Sequence, residues 1–183
     1  MENINHSTQS QIDSIRHKAL HNALVNGIKN DSVLTEIANR AEEDYTDKIG
    51  EESESRFIEY SKNIKFVKSV SDTHPLEDHL LSIDKWITFD KSLSLPDLPV
   101  QIKSSYRGVF VFKNGDSKNF IKPNWVYKHL SGLMVVVNCG PLVKPKEFRL
   151  QLLKEATRIR ELIDTNHIPA DRFIKDSNSS KIR

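Results

Sequence analysis

The sequence has few of the residues that build special chemistry on their own. It holds a single cysteine, Cys139. That excludes an intrachain disulfide and a zinc cage of several thiolates, and it suits a reducing, cytoplasmic compartment. No run approaches the ~18 consecutive apolar residues of a membrane-crossing helix, so no membrane partner is expected. Met1 to Ser10 is polar and lacks the apolar stretch of a secretory leader. Six glycines and seven prolines leave no place for fibrous or low-complexity structure. No GxxxxGK phosphate loop, GxGxxG fingerprint or zinc-finger spacing is present, so intrinsic ATP hydrolysis is not expected. No internal repeat is visible.

What is present is a globular composition with lopsided charge. Apolar residues make up 37% and charged residues 28% of 183, enough for one packed domain and a terminal extension. Residues 1–102 carry 11 Lys/Arg against 18 Asp/Glu, a balance of −7, and residues 103–183 carry 16 against 7, a balance of +9. A basic half can face a polyanion while an acidic half stays in solvent; a dipolar chain of no functional consequence has the same arithmetic.

Periodicity divides the chain. Ile12, Ile15, Ala19, Ala23 and Leu24, then Val33, Leu34, Ile37, Ala38 and Ala41, recur at helical steps, with Asn30-Asp31-Ser32 as a cap between them. Residues 1–48 therefore read as a helical N-terminal extension, a surface for a protein partner or for self-association. A third helix is expected from Gly50 to about Lys62, with Glu54, Phe57 and Ile58 on one face. Strands are expected over Ile64–Val70, His79–Phe89, Pro99–Ser105 and Val109–Phe112, with a hairpin turn at Lys113–Asp116. A short helix at Pro123–Leu130, a buried strand at Leu133–Val137 and a helix from Pro145 to about Asn166 follow. This predicts an α/β core over 49–168, a central mixed sheet flanked by helices, and a polar basic tail over 169–183.

Two segments carry the chemistry. Strand alternation puts Ser82, Asp84, Trp86 and Thr88 on one face and Leu81, Ile83, Ile87 and Phe89 on the other, with Lys85 interrupting the apolar series. In the next strand Val100 and Ile102 face the core, while Gln101 and Lys103 project together at roughly 6–7 Å spacing. If the strands pair, Asp84, Gln101 and Lys103 gather in one patch. A carboxylate with neighbouring oxygens can hold Mg²⁺ (or Mn²⁺), and an adjacent ammonium can orient water and offset phosphate charge. The metal ligands read from this are Asp84, Gln101, the Ile102 carbonyl and Glu54, with Lys103 the catalytic cation. Glu51, Glu52 and Glu59 fall elsewhere around the helix. An Asp and a Lys on neighbouring strands also suit an ordinary cross-strand ion pair, and the residues alone leave both open. Asp97, after Pro96, sits too close to Gln101 to lie on a separate strand and reads as a turn residue. His74, His79 and His129 lack metal-ligand spacing, and Trp86 and Trp125 read as packing residues. Lys144, Lys146, Arg149, Lys154, Arg158 and Arg160 make the last helix basic.

The ordered series Gly50, Glu54, Asp84, Gln101-Ile102-Lys103-Ser104 resembles the PD-(D/E)XK nuclease superfamily, the restriction-endonuclease-like fold. Gly50-Glu51-Glu52-Ser53-Glu54 is similar to the first-helix motif of archaeal Holliday-junction resolvases. Ser82-Ile83-Asp84-Lys85 is similar to the family's metal-binding aspartate segment, and Val100-Gln101-Ile102-Lys103 to its closing motif. The resemblance covers about residues 49–165. It implies a Mg²⁺-dependent endonuclease acting on DNA, with Glu54, Asp84, Gln101 and Lys103 at its site. Ile83 stands where the family has proline. Gln101 replaces the usual acidic residue, as in Mrr-like restriction enzymes, and removes a negative charge from the metal site. The same fold can also serve as a nucleic-acid or protein-binding module whose catalytic site has decayed.

Overall fold

The structure is a computed structural model and describes residues 3–114, 127, 130 and 132–166. The chain forms two compact units, Met1–Glu51 and Glu52–Arg183. The first holds α1 (Asn3–Val25) and the start of α2 (Asp31–Lys62). Asn30 Oδ1 accepts hydrogen bonds from the backbone N–H groups of Ser32 (3.0 Å) and Val33 (3.3 Å), which caps α2. Arg16–Glu42 (2.5 Å) and Tyr45 Oη to Gln11 Oε1 (3.0 Å) tie the two helices antiparallel. The small buried side chains of Ala23 and Ala38 belong to this pair.

The second unit is built on a four-stranded sheet in the order β1-β2-β3-β4. β1 (Val67–Asp72), β2 (Lys85–Phe89) and β3 (Leu98–Lys103) pair antiparallel, with a bulge in β1 between Val67 and Ser69. β4 (Val135–Asn138) joins β3 in parallel, which requires a crossover. Helix α4 (Tyr106–Asn114) lies in that crossover. Strand parity splits the sheet into two apolar layers. Ile87, Phe89, Leu98, Val100, Ile102, Val135 and Val137 pack with Phe57 of α2 and with Phe148, Leu152 and Ile159 of α5 (Pro145–Asn166). Phe57 and Phe148 meet edge to face with ring centroids 5.5 Å apart. Met134 and Val136 pack with Ile83 and with Phe112 of α4.

The outer edge of β4 is closed by side chains. Gln151, Glu155 and Arg158 recur at helical spacing along α5. Gln151 Oε1 accepts the Asn138 N–H (3.0 Å) and Glu155 Oε2 the Val136 N–H (3.4 Å). Arg158 donates to the carbonyls of Gly132 (2.7 Å) and Met134 (3.0 Å). Lys113 and Arg158 hold the buried Glu155 carboxylate. This supplies the partners that an edge strand otherwise leaves open.

Five expectations need correction. No break precedes Gly50: α2 runs unbroken through it to Lys62, since one exposed glycine lowers helix stability by only ~1 kcal/mol. The strand read from His79 starts at Lys85. Before it lies α3 (Pro75–Leu81), started by a capping box in which His74 Nδ1 accepts the Leu76 N–H and Glu77 Oε2 accepts the His74 N–H, and ended at Ser82 with φ +51°. Val109–Phe112 belongs to α4, not to a strand; Ser105 Oγ accepts the Gly108 N–H (3.0 Å) at its start, and packing of Val109 and Phe112 on one face outweighs the β-forming sequence. Lys113 and Asn114 close α4 and form no hairpin turn; Gly115 and Asp116 lie outside the described residues. β1 lies a few residues later than read, at Val67–Asp72. The Pro123–Leu130 helix, except Tyr127 and Leu130, and the tail from 169 also fall outside the described residues.

Two glycines should respond oppositely to alanine. A Cβ at Gly140 would lie 2.0 Å from the Ser104 carbonyl oxygen, whereas one at Gly50 meets nothing within 4 Å. Gly140→Ala is expected to cost ~1–3 kcal/mol or more, and Gly50→Ala to add ~0.5–1 kcal/mol, both read by urea denaturation.

Candidate active site

Asp84 stands at the point where β2 begins. Its N–H donates to the Val100 carbonyl (2.8 Å), the last backbone bond at this end of the β2–β3 pair. Its carbonyl accepts from Thr73 Oγ1 (3.3 Å). The chain then turns away through Ile83 toward α3, so no backbone carbonyl of β2 reaches the Ile102 N–H. The Asp84 carboxylate takes that donor: Oδ2 accepts from Ile102 N–H (2.5 Å) and from Gln101 Nε2 (2.6 Å). Asp84 and Gln101 are thus brought together across the paired strands. Gln101 is buried, and its Oε1 has no hydrogen-bond partner among the described residues. Its Nε2 also approaches the Ile102 carbonyl (3.4 Å).

Lys103 lies two residues along the same face. Val136 and Asn138 of β4 are the register partners of Gln101 and Lys103. The Lys103 ammonium sits 5.1 Å from the centre of the Phe112 ring on α4. Gly108 allows this approach, since a Cβ there would lie 3.3 Å from Lys103 Cβ. Burial pulls the Lys103 pKa below its ordinary value, with Asp84 opposing the shift. Asp84 and Lys103 therefore act on one another through space, while the direct bonds of Asp84 go to Ile102 and Gln101.

Glu54 comes from the last three turns of α2. Its Oε2 pairs with Lys85 Nζ at 3.0 Å, and Lys85 also pairs with Asp72 at 3.0 Å. Burial works against the Lys85 charge, but the hydrogen bonds to Glu54 and Asp72 outweigh it and raise its pKa. Glu54 is close enough to oppose ionisation of Asp84. So Glu54, Asp84, Gln101 and Lys103 share one region, and Lys85, read from the sequence only as an interruption, is part of it. Among the described residues no group of three or more His, Cys, Asp or Glu side chains is placed to hold a metal; the Asp84 carboxylate and the Ile102 carbonyl both meet the Gln101 amide nitrogen. Glu51, Glu52 and Glu59 are exposed. Asp97 lies between a short 3-10 turn and β3, away from either strand's interior. His74 caps α3, and Trp86 Nε1 donates to Glu77 Oε2 (3.1 Å) while its ring joins the second apolar layer. His129 and Trp125 are outside the described residues.

Topology adds a charge pattern. β3 and β4 are parallel and β2 runs against them, so Asp84, Lys103 and the loops after β3 and β4 share one end of the sheet. Cys139 N–H donates to the Lys103 carbonyl there (2.8 Å). Tyr106 at the start of α4 donates to Glu147 at the start of α5 (2.5 Å). Arg107, Lys144, Lys146 and Arg149, all exposed, belong to these segments. No family model, curated protein or solved structure matches the chain, so its site is read from geometry.

Burial pushes the Asp84 carboxyl up to about 7 from 3.8; Ile102 N–H and Lys103 oppose this, and Glu54 and Asp78 reinforce it. Between those values the folded chain keeps a proton that the unfolded chain has released. The Asp84 contribution is therefore fully present below pH 4 and lost as pH rises toward 7. Asp84→Asn should gain stability relative to wild type between pH 4 and pH 8, measured by urea denaturation at both. An equal difference at the two pH values would contradict this.

Proposed function

We propose that the chain is a metal-dependent nuclease that hydrolyses phosphodiester bonds in DNA, on a restriction-endonuclease-like fold of the PD-(D/E)XK kind. The observation that carries the reading is Gln101 Oε1. It is a buried oxygen without a hydrogen-bond partner among the described residues, on a side chain whose Nε2 touches Asp84 and which shares the sheet face of Lys103. An unsatisfied buried acceptor costs about 1–3 kcal/mol. A hard divalent cation suits an oxygen set of carboxylate, amide and backbone carbonyl. Asp84, Gln101 and the Ile102 carbonyl would hold Mg²⁺ or Mn²⁺, with Glu54 beside them. When bound, the ion would supply Lewis-acid polarisation of a phosphate oxygen and a more acidic water.

The chain's own groups account for the rest. Lys103 carries a partly desolvated ammonium that can orient a water and offset charge as it develops on the phosphate. Asp84, once ionised, adds a fixed negative charge to the oxygen set. Arg107, Lys144, Lys146 and Arg149 give the same end of the sheet a basic fringe suited to a phosphate backbone. A mixed sheet of three antiparallel strands and one parallel strand, covered by helices, is compatible with the proposed fold.

A second reading is favoured by one observation. Asp84 Oδ2 already accepts two hydrogen bonds, and Glu54 already has Lys85. On this reading the chain is a nucleic-acid or protein-binding module whose site has decayed at Gln101.

The two separate on plasmid, linear, single-stranded and branched DNA incubated with Mg²⁺ or Mn²⁺. A nuclease cleaves at least one of them, and Asp84→Ala or Lys103→Ala lowers the rate by about 10²-fold or more. Gln101→Glu should tighten Mn²⁺ binding by restoring a carboxylate ligand. DNA binding without cleavage under either metal supports the second reading. Cleavage unchanged in both alanine variants removes these residues from the site.

A further inference from the structure

Helix α4 leaves outside what a small domain normally buries. Tyr106 and Phe110 stand one turn apart on it, and Phe110 is 65% exposed. Three contacts fix how α4 lies against α5. Tyr106 Oη donates to Glu147 Oε1 (2.5 Å) and accepts from Gln151 Nε2 (3.1 Å), and Lys113 pairs with Glu155 (2.5 Å). Residues 106, 110 and 113 share one helical stripe. Phe110 therefore lies on the border with α5, between two points where the helices are tied, and is still open to solvent. A phenylalanine has much to gain from burial, so its exposure there calls for an occupant.

The surroundings are basic. Over 104–114 and 132–158 the described residues carry seven Lys or Arg against two acids, Glu147 and Glu155. Glu155 is held by Lys113 and Arg158, and Glu147 by the Tyr106 hydroxyl. Arg107 neighbours Phe110 at a three-residue step, and Lys146, Arg149 and Lys154 are exposed along α5. An open aromatic ring in a field of one sign suits a polyanion with flat apolar parts. A duplex hides the faces of its bases in the stack, whereas an unpaired strand offers them, and a base can stack on an aromatic ring whatever its identity.

We propose that Phe110, with Tyr106 beside it, is a stacking platform for unpaired DNA bases, and that Arg107, Lys146, Arg149 and Lys154 hold the phosphates of that strand. This rests on the DNA reading above and narrows the substrate class to single strands and DNA with unpaired segments. It requires no metal ion and applies to a nuclease and to a binding module alike. α4 begins three residues after Lys103, so the platform adjoins the end of the sheet where Lys103 stands.

The test is fluorescence anisotropy on the full chain in EDTA, which prevents metal-dependent cleavage. The probes are labelled oligo(dT) of about 15 nucleotides, within the span of one single-strand site, an abasic strand of the same length and a duplex of the same length. Wild type should bind oligo(dT) about 5-fold or more tightly than either other probe. Phe110→Leu should weaken oligo(dT) by about 5- to 150-fold, the loss of one base–aromatic stack, and leave the other two probes unchanged. Phe110→Tyr should keep the wild-type affinity, because the ring remains. Arg149→Gln should weaken all three probes and reduce the salt slope on oligo(dT) by about 0.7. Phe110 is exposed, so leucine there should leave the fold intact, which circular dichroism checks. Equal oligo(dT) affinity in wild type and Phe110→Leu overturns the platform, and duplex binding that persists leaves the DNA reading standing. Self-association that Phe110→Leu abolishes, with oligo(dT) affinity unchanged, overturns it in favour of a protein contact. No binding of any probe removes the DNA reading, and the platform with it.

Discussion

One carboxylate closes the end of the β2–β3 ladder, and most of the candidate site follows from it. β2 gives out at Asp84, where the chain turns back into α3, and the buried Ile102 N–H would be left without a partner. An orphaned buried donor costs about as much as a lost hydrogen bond and its desolvation, ~1–3 kcal/mol. Asp84 Oδ2 supplies the acceptor. That contact sets where the carboxylate sits, draws the Gln101 amide against it, and buries it enough to raise its pKa to about 7. Below its pKa a proton relieves the burial; above it the negative charge is held in place by Ile102 N–H and Lys103.

Strand parity and one helix determine the other half. In β3 the odd and even positions part company: Val100 and Ile102 enter the main core, while Gln101 and Lys103 turn toward the layer covered by α4. A lysine there could simply extend to water. It is confined because Ser105 starts α4 immediately, Gly108 lets the helix pass close to its stem, and Phe112 lies beneath its ammonium. The favourable cation–ring contact, worth ~0.5–2 kcal/mol, offsets part of the desolvation that lowers the Lys103 pKa. Two residues before this lysine stands an amide whose oxygen lacks a partner among the described residues.

How much of this was legible in the sequence depends on the kind of signal. The alternation in Val100–Lys103 was readable because one face is wholly apolar, and it placed Gln101 and Lys103 correctly. The proximity of Asp84 followed from antiparallel pairing, although Asp84 lies before the strand and not within it. The helix α3 was missed because Leu81, at its end, continues the odd-position apolar series of Ile83, Ile87 and Phe89 and draws the strand reading back into it. The overlooked signs were Pro75 at the first helical position and Glu77 two residues on, which complete the capping box with His74. Val109-Phe110-Val111-Phe112 has every local mark of a strand; tertiary packing of Val109 and Phe112 on one helical face overrides it. The partners of Lys85 were not legible at all, since Glu54 and Asp72 lie far from it in sequence and meet it only through the sheet and α2. Nor was the closure of the β4 edge by Gln151, Glu155 and Arg158, although their four- and three-residue steps along α5 carry the pattern.

The division of charge along the chain takes on a geometric meaning once the topology is known. The acidic first half delivers Glu54, Asp72 and Asp84 to the edge of the site, and the basic second half delivers Lys103, Arg107, Lys144, Lys146 and Arg149 to the same end of the sheet. A phosphate backbone approaching that end meets attraction from the fringe and repulsion near Asp84 and Glu54. Lys85, shared between Glu54 and Asp72, and Lys103, which acts on Asp84, offset part of that repulsion. On the proposed function, binding of the polyanion and binding of the ion therefore reinforce one another, because each removes a charge that opposes the other. That mutual dependence follows from where the sheet puts the two halves of the sequence.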